Sequence, residues 1–366
     1  MIPVFSPEIT LDDIKSVTNA LTLGEISGNF GESIKMFEEQ FANFSEVEHA
    51  ITVSSGTAAL HLAIAALNLE KGSEVLISSS TNIATALAVV HNGLIPVPID
   101  SDIETWNLNI DLVETAITSK TRAIIPVHLY GNPVNMPYLM NLAKKYNLYV
   151  IEDCAESHGA TINGQMTGSF GHVSCFSFYA NKILTTGEGG MVVTNNKEIA
   201  DRIKLLKNLG FTEPRFKHDL LGYNFRMTGY QAALGLSQLK RVDHIVSEKI
   251  RVGETYEKYL SNTPQISTQK LTPNSKHVYW MFGVLVNNYS KVDRDQLITA
   301  LYKNGVETRT FFCPMDMQPA LKDLFGMSEC PVAGNLWANG LYLPSAHTLT
   351  EQQIRTISEI IIQNVV

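Results

Sequence analysis

Between residues 50 and 194 short apolar runs alternate with longer helical patterns, and no other feature of the chain restricts its fold as strongly. Residues 74–77, 123–127, 149–151, 173–178 and 191–193 read as strands, and residues 57–67, 82–91 and 136–146 read as helices. Most of these strands are apolar almost throughout. Neither of their faces suits water, so helices must cover the sheet on both sides. Repeated βα units of this kind assemble into an open, mostly parallel sheet, and the predicted class is α/β. A further helical pattern over 228–240 continues, more charged, through 247–260. After it the texture changes to α+β, with a strand predicted over 278–286 and helices over 294–304 and 350–362. A chain of 366 residues is too long for one ordinary core. Division near residue 240 gives a large domain over 1–240 and a smaller α+β C-terminal domain over 241–366.

The formal charge of −8, from 28 Lys+Arg against 36 Asp+Glu, argues against a nucleic-acid surface. An anionic ligand would then rest on backbone N–H groups and a few placed side chains. The stretch Met1-Ile2-Pro3-Val4-Phe5-Ser6-Pro7 lacks the basic start and apolar run of a secretory leader, and runs such as 84–90 are too short to span a bilayer. A cytoplasmic location without a membrane partner is expected. Cys154, Cys175, Cys313 and Cys330 form no C-x-x-C pair and have no His partner at zinc spacing. They are expected to be reduced and mostly buried, and no metal site is expected.

Three segments carry chemistry. The first runs from Phe176 through Lys182 to Gly190, a lysine between an aromatic strand and a Gly-rich turn. A neutral lysine amine forms a Schiff base with an aldehyde, and apolar surroundings or a nearby cation lower its pKa toward that state. A lone lysine would read as a surface residue in a hairpin; the whole segment points to a ligand site. The second is Ile151-Glu152-Asp153-Cys154-Ala155-Glu156-Ser157-His158, where an apolar strand ends in carboxylates at the carboxyl edge of a parallel sheet. Asp153 there can pair with a protonated ring nitrogen, or simply cap a helix. The third is Ser54-Ser55-Gly56-Thr57 before an Ala-rich helix, whose free N–H groups and dipole suit a phosphate. Thr57 is equally placed to be that helix's cap.

With these segments the chain resembles the DegT/DnrJ/EryC1/StrS sugar aminotransferases over nearly its whole length, most specifically at Ile151-Glu152-Asp153, Phe176 to Gly190 and Leu221-Gly222-Tyr223-Asn224-Phe225-Arg226-Met227-Thr228. The resemblance implies a fold-type I pyridoxal-phosphate aminotransferase, with a mostly parallel seven-stranded sheet in its large domain. Lys182 would hold the cofactor covalently and then carry the substrate proton, and Asp153 would bind the ring nitrogen. Ser55, Gly56, Thr57 and Ser177 would hold the phosphate, completed by Asn224 from the opposite subunit of a homodimer with shared active sites. Asn82 and Glu156 would lie beside the ring. His128, Tyr179, Asn181, Arg226, Arg309 and Phe312 are the candidate substrate contacts. Within the family the likeness is to the perosamine synthase branch, through Glu104-Thr105-Trp106, 126–131, 185–190 and Val306-Glu307-Thr308-Arg309. That branch implies glutamate-dependent amination at C4 of a nucleotide-linked 4-keto-6-deoxy sugar, in amino-sugar and polysaccharide synthesis.

Three positions depart from the family pattern. Asn82 stands where an aromatic residue often stacks on the ring, and it offers less apolar area. Cys313 and Asp316 replace the Tyr and His of a Phe-Tyr-Pro-x-His phrase, and a carboxylate there would repel a nucleotide diphosphate. Three alternatives remain open beside the C4 reading: a C3 aminotransferase, a dehydratase of the same family, and a non-catalytic binder of cofactor or sugar nucleotide. The dehydratases carry histidine in place of the lysine, so Lys182 argues against that reading.

Overall fold

The apolar runs line up as one sheet in a computed structural model that describes residues 1–366 except 215, 323 and 325–328. In chain order its strands are β1 (His49–Val53), β2 (Glu74–Ser78), β3 (Ile95–Ile99), β4 (Thr121–Ile125), β5 (Tyr149–Asp153), β6 (Val173–Ser177) and β7 (Gly190–Thr194). Their spatial order is β1-β7-β6-β5-β4-β2-β3, and only β7 runs antiparallel to its neighbours. This is the mostly parallel seven-stranded sheet implied above. β3 escaped prediction because its sequence carries Pro96 and Pro98. It lies at the sheet edge. The Ile95 N–H donates to the Ser73 carbonyl and the Ile99 carbonyl accepts from Ser79, so the odd-numbered residues face β2. Both prolines therefore turn their donor-less nitrogens outward, the arrangement in which a strand tolerates them.

Helices cover both faces, as apolar strands require. Two lie at the N-terminal end, α1 (Leu11–Thr22) and α2 (Glu32–Phe44), followed by α3 (Gly56–Leu67), α4 (Ala84–His91), α5 (Met136–Tyr146) and α6 (Lys197–Lys207). One face of the sheet packs with α3, α4 and α6 around Ile51, Ile77, Ile151 and Val192. The other carries Leu76, Ile124 and Val150 against α5, and Phe176 and Phe178 against Phe37 and Phe41 of α2. α1 was not predicted, and its composition explains why. Its large apolar residues Leu11, Ile14 and Leu21 are exposed, while its buried positions include Asp13. A capping box starts it, with the Thr10 N–H donating to Asp13 Oδ2 at 2.9 Å.

After α7 (Gly229–Leu239) and α8 (Val242–Leu260) the chain forms a second sheet from β8 (Ile266–Thr268), β9 (Phe282–Val286), β10 (Arg309–Thr310) and β11 (Gly340–Leu343). Its order is β8-β9-β11-β10, antiparallel throughout. Three further helices accompany it, α9 (Arg294–Lys303), α10 (Pro331–Asn339) and α11 (Glu351–Val365). The strand predicted over 278–286 begins only at Phe282; the four residues before it follow the edge of the candidate site, with the Val278 N–H donating to the Gly131 carbonyl. α8 is the beam between the two units: Val242, Ile245 and Val246 sit in the core of the large sheet, and Val252, Tyr256 and Leu260 in that of the small one. The N-terminal residues also join the C-terminal unit, through a bridge between Ile2 and Val306. Among the described residues no helix is long and apolar enough to cross a membrane.

Phe41 is fully buried, with ring centroids of Phe176 and Phe178 at 5.0 and 5.4 Å. Phe41→Ala should cost about 3–5 kcal/mol of folding free energy. A urea titration checks this through a lowered midpoint at unchanged slope.

Candidate active site

A cavity of about 350 Å³ opens at the carboxyl edge of the large sheet, where open α/β folds bind ligands. β5 delivers two of its carboxylates. Asp153 ends the strand and is 4 % exposed. Its Oδ2 accepts from the Thr85 hydroxyl at 2.9 Å and its Oδ1 from the Ala155 N–H at 3.1 Å. Burial raises its carboxyl, and these hydrogen bonds and Lys182 pull the other way. Glu156, one turn on, is likewise buried and accepts from the Tyr130 N–H at 2.7 Å. The loop after β6 brings Lys182, whose side chain is only 11 % exposed and whose Nζ lies 3.9 Å from Glu156 Oε1. Burial holds its amine below the usual lysine range, against the pull of Glu156 and Asp153.

The far wall is built for an anion. Ser55, not Thr57, caps α3: its Oγ accepts from the Ala58 N–H at 3.1 Å. That leaves Thr57 exposed in the first turn with its hydroxyl free for a ligand. The N–H groups of Gly56 and Thr57 lie beyond the reach of the intrahelical ladder and add the positive end of the helix dipole. Close approach of backbones forms this wall. A Cβ on Gly56 would stand 2.7 Å from Ser177 Cβ, and one on Gly190 would stand 2.5 Å from the Ser55 carbonyl oxygen. An aromatic aldehyde with a phosphate tail fits the set: amine, buried acid and anion cradle share one cavity.

Of the candidate contacts, Ser55, Gly56, Thr57, Asn82, Asp153, Glu156, Ser177, Tyr179, Asn181, Lys182 and Phe312 line this cavity together. Asn82 uses its side-chain oxygen to accept from the Ala84 N–H at 3.0 Å, which starts α4 two residues later than predicted. Others lie elsewhere. His128 was expected to line the site and does not. It is fully buried, its Nδ1 accepts from the Val134 N–H at 3.0 Å, and its Nε2 meets Glu152 Oε2 at 3.2 Å. Glu152 is also saturated, accepting from the N–H groups of Gly168, Phe170 and Gly171. His128, Glu152 and Cys154 cluster within 4.8 Å, but the first two are already occupied as the structural tie between β5 and its neighbours. His158 sits among Phe41, Phe176 and Phe178, where burial, helped by the charge of Lys182, lowers its imidazole to about 3 and keeps it neutral.

Arg226 donates to Asn208 Oδ1 at 2.8 Å and lies outside the cavity of its own chain, as does the exposed Asn224. Arg309 is exposed, paired with Glu307 at 2.6 Å, and touches the site only through its cross-strand neighbour Tyr342, which lines it. Asp316 is not a loose charge facing substrate. Its Oδ1 accepts from the Ser79 hydroxyl at 3.2 Å and its Oδ2 from the Cys330 N–H at 3.1 Å, so it ties three loops together. Trp280, Tyr342 and Glu188 line the cavity and were not singled out from sequence. Trp280 falls in the run predicted as a strand over 278–286, and Tyr342 in a short apolar run with no charge to mark it; Glu188, charged between two glycines of the lysine segment, carried a signal that was available.

Residues 7–362 match the DegT/DnrJ/EryC1/StrS aminotransferase family. GDP-perosamine synthase from Escherichia coli O157:H7 is 40 % identical over 359 residues, which is 98 % of this chain and 97 % of that one. Among solved structures, the aminotransferase from Psychrobacter cryohalolentis superposes with a TM-score of 0.92 at 33 % identity, covering 98 % of both chains. The E. coli GDP-4-keto-6-deoxy-D-mannose-3-dehydratase, solved with bound hydrated PLP, superposes with a TM-score of 0.93 at 26 % identity over 99 % of both.

Burial lifts the Glu156 carboxyl to about 7, with Lys182 opposing. A carboxyl raised on folding stabilises the fold fully below its ordinary range, and that contribution is lost as pH rises through about 7. Glu156→Gln removes that loss, because an amide does not titrate. In cofactor-free protein the melting temperature of Glu156→Gln relative to the parent should rise between about pH 5 and about pH 8, as thermal melts at each pH will show.

Proposed function

This chain belongs to the DegT/DnrJ/EryC1/StrS aminotransferase family, and on that premise we propose that it uses pyridoxal phosphate to transfer the amino group of glutamate to C4 of a GDP-linked 4-keto-6-deoxy sugar. The observation that carries this reading is a desolvated lysine amine sharing a cavity with a buried aspartate and a helix N-terminus. When bound, pyridoxal phosphate supplies an aldehyde and a ring that draws electrons from the substrate carbon. Lys182 presents an amine whose burial favours the neutral, nucleophilic form. Lys182 Nζ would take up and give back the proton moved in the reaction, work that positioned general bases speed by about 10²–10⁴-fold. Asp153, steadied by Thr85 and Ala155, holds a proton on the ring nitrogen. Gly56, Thr57 and Ser177 receive the phosphate.

The cavity's charges support a shared site. Its described lining carries Asp153, Glu156 and Glu188 against one cation, Lys182, yet glutamate and a nucleotide diphosphate are both anions. The missing positive charge and the last phosphate donor come from a second copy, with Asn224 and Arg226 lying on an exposed segment beside Leu221, which is 95 % exposed. The choice of C4 rests on the likeness of the 185–190 segment to C4 enzymes. GDP follows the nucleotide named for the E. coli O157:H7 relative.

Glutamate added to the purified yellow protein should bleach its visible absorbance, and the amino group should then appear at C4 of the GDP-linked sugar; an unchanged spectrum would count for a non-catalytic binder. Lys182→Ala should abolish turnover at an unchanged melting profile, and retained steady-state activity would sink the mechanism. Thr57→Ala should weaken cofactor binding about 10- to 100-fold, the effect of removing a hydrogen bond to a charged group, measured by equilibrium titration. Mixing Lys182→Ala with Asn224→Ala subunits should restore one intact site per hybrid dimer, read as recovered activity.

A further inference from the structure

The Lys182 amine does not rest on a carboxylate alone. Its Nζ lies 3.7 Å from the centroid of the Trp280 ring and 3.9 Å from Glu156 Oε1. Both partners are themselves fixed. The Trp280 indole N–H donates to the Asn181 carbonyl at 2.7 Å, next to the lysine in sequence. The Trp280 carbonyl accepts from the buried Lys249 amine at 2.7 Å. Tyr130 joins the two partners: its ring stacks on Trp280 with centroids 6.3 Å apart, and its N–H is the donor to Glu156. Tyr130 holds a φ of +58°, a conformation that a bulky residue keeps only where its surroundings impose it.

We propose that Trp280 is a positioning residue for Lys182, its indole face holding the ε-ammonium in one place whenever the amine is not bonded to the cofactor. The proposal rests on the reading of Lys182 given above. A carboxylate at hydrogen-bond distance would accept the amine's protons and compete with the substrate carbon for them. At 3.9 Å Glu156 contributes charge without that competition. The ring attracts the cation through its quadrupole, offers no basic atom, and has little hold on the neutral amine. Trp280 thus steadies the protonated lysine and releases it when the proton leaves.

The test reads the amine itself. In the full-length chain freed of cofactor, acetylation of Lys182 by acetic anhydride, followed across pH by mass spectrometry, reports its neutral fraction, with surface lysines as internal standards. Below the midpoint of that curve Trp280→Leu should label about 3- to 10-fold faster than the parent, and Trp280→Phe, which keeps a ring face, should fall between. In the holoenzyme Trp280→Leu should lower kcat about tenfold with the KM for glutamate within about twofold. Should Trp280→Leu fail to fold, the parent chain decides. Its Trp280 fluorescence, assigned by difference from Trp280→Phe, should change with pH along the acetylation curve, and Lys182→Met should abolish that change. An acetylation curve left in place by the Trp280 variants, or a fluorescence titration indifferent to Lys182→Met, overturns the proposal. Neither result touches the transaminase reading, which fails instead if the cofactor's colour does not depend on Lys182.

Discussion

A lysine amine reacts with an aldehyde only after it has lost a proton that water would keep on it, and the site is arranged around that difficulty. Burial of Lys182 disfavours the ammonium, while the face of the Trp280 ring attracts it. Glu156 and Asp153 limit how far this goes, so the group stays within reach of both protonation states. The parallel sheet makes such a balance possible. Successive strand ends on one edge bring groups distant in sequence into a single cavity.

β5 shows how environment divides labour among chemically similar groups. Glu152 and Asp153 are adjacent, so the pleat sends them to opposite faces. Glu152 meets three backbone N–H groups, the Ser174 hydroxyl and His128. Burial alone would raise its carboxyl, yet the histidine and these donors bring it below the ordinary range. It has no capacity left for a ligand and serves as an anchor. Asp153 has two donors and a raised carboxyl, and so remains ready for a cation presented by a ligand. Glu156 has a single backbone donor and an amine at a distance.

The sheet, its apolar strands and the residues that share the cavity with Lys182 are legible in the sequence because both signals are local. Apolar periodicity reports burial directly, and Lys182, Asp153 and the Ser-Gly-Thr turn each announce their chemistry within a few residues. Legibility ends where long-range geometry decides. His128 follows a strand at the right edge, yet its ring turns inward to Glu152, and nothing in Val127-His128-Leu129 foretells that. Trp280 lies far along the chain from Lys182 and reaches it only through the fold. Asp316, which looked repulsive to substrate, is held by Ser79 and Cys330 from two separate loops. α1 was invisible because its apolar residues point outward rather than to the core.

An open sheet has two borders, and a border with free N–H and C=O groups is a template on which another copy can grow. Here one border is β3. With Pro96 and Pro98 turned outward, the two positions that would offer donors to an incoming strand have none. A second chain cannot extend the sheet from that side into a ribbon of copies. Any contact between copies at that border is thereby left to side chains, which can close on a partner and stop, rather than to strand pairing.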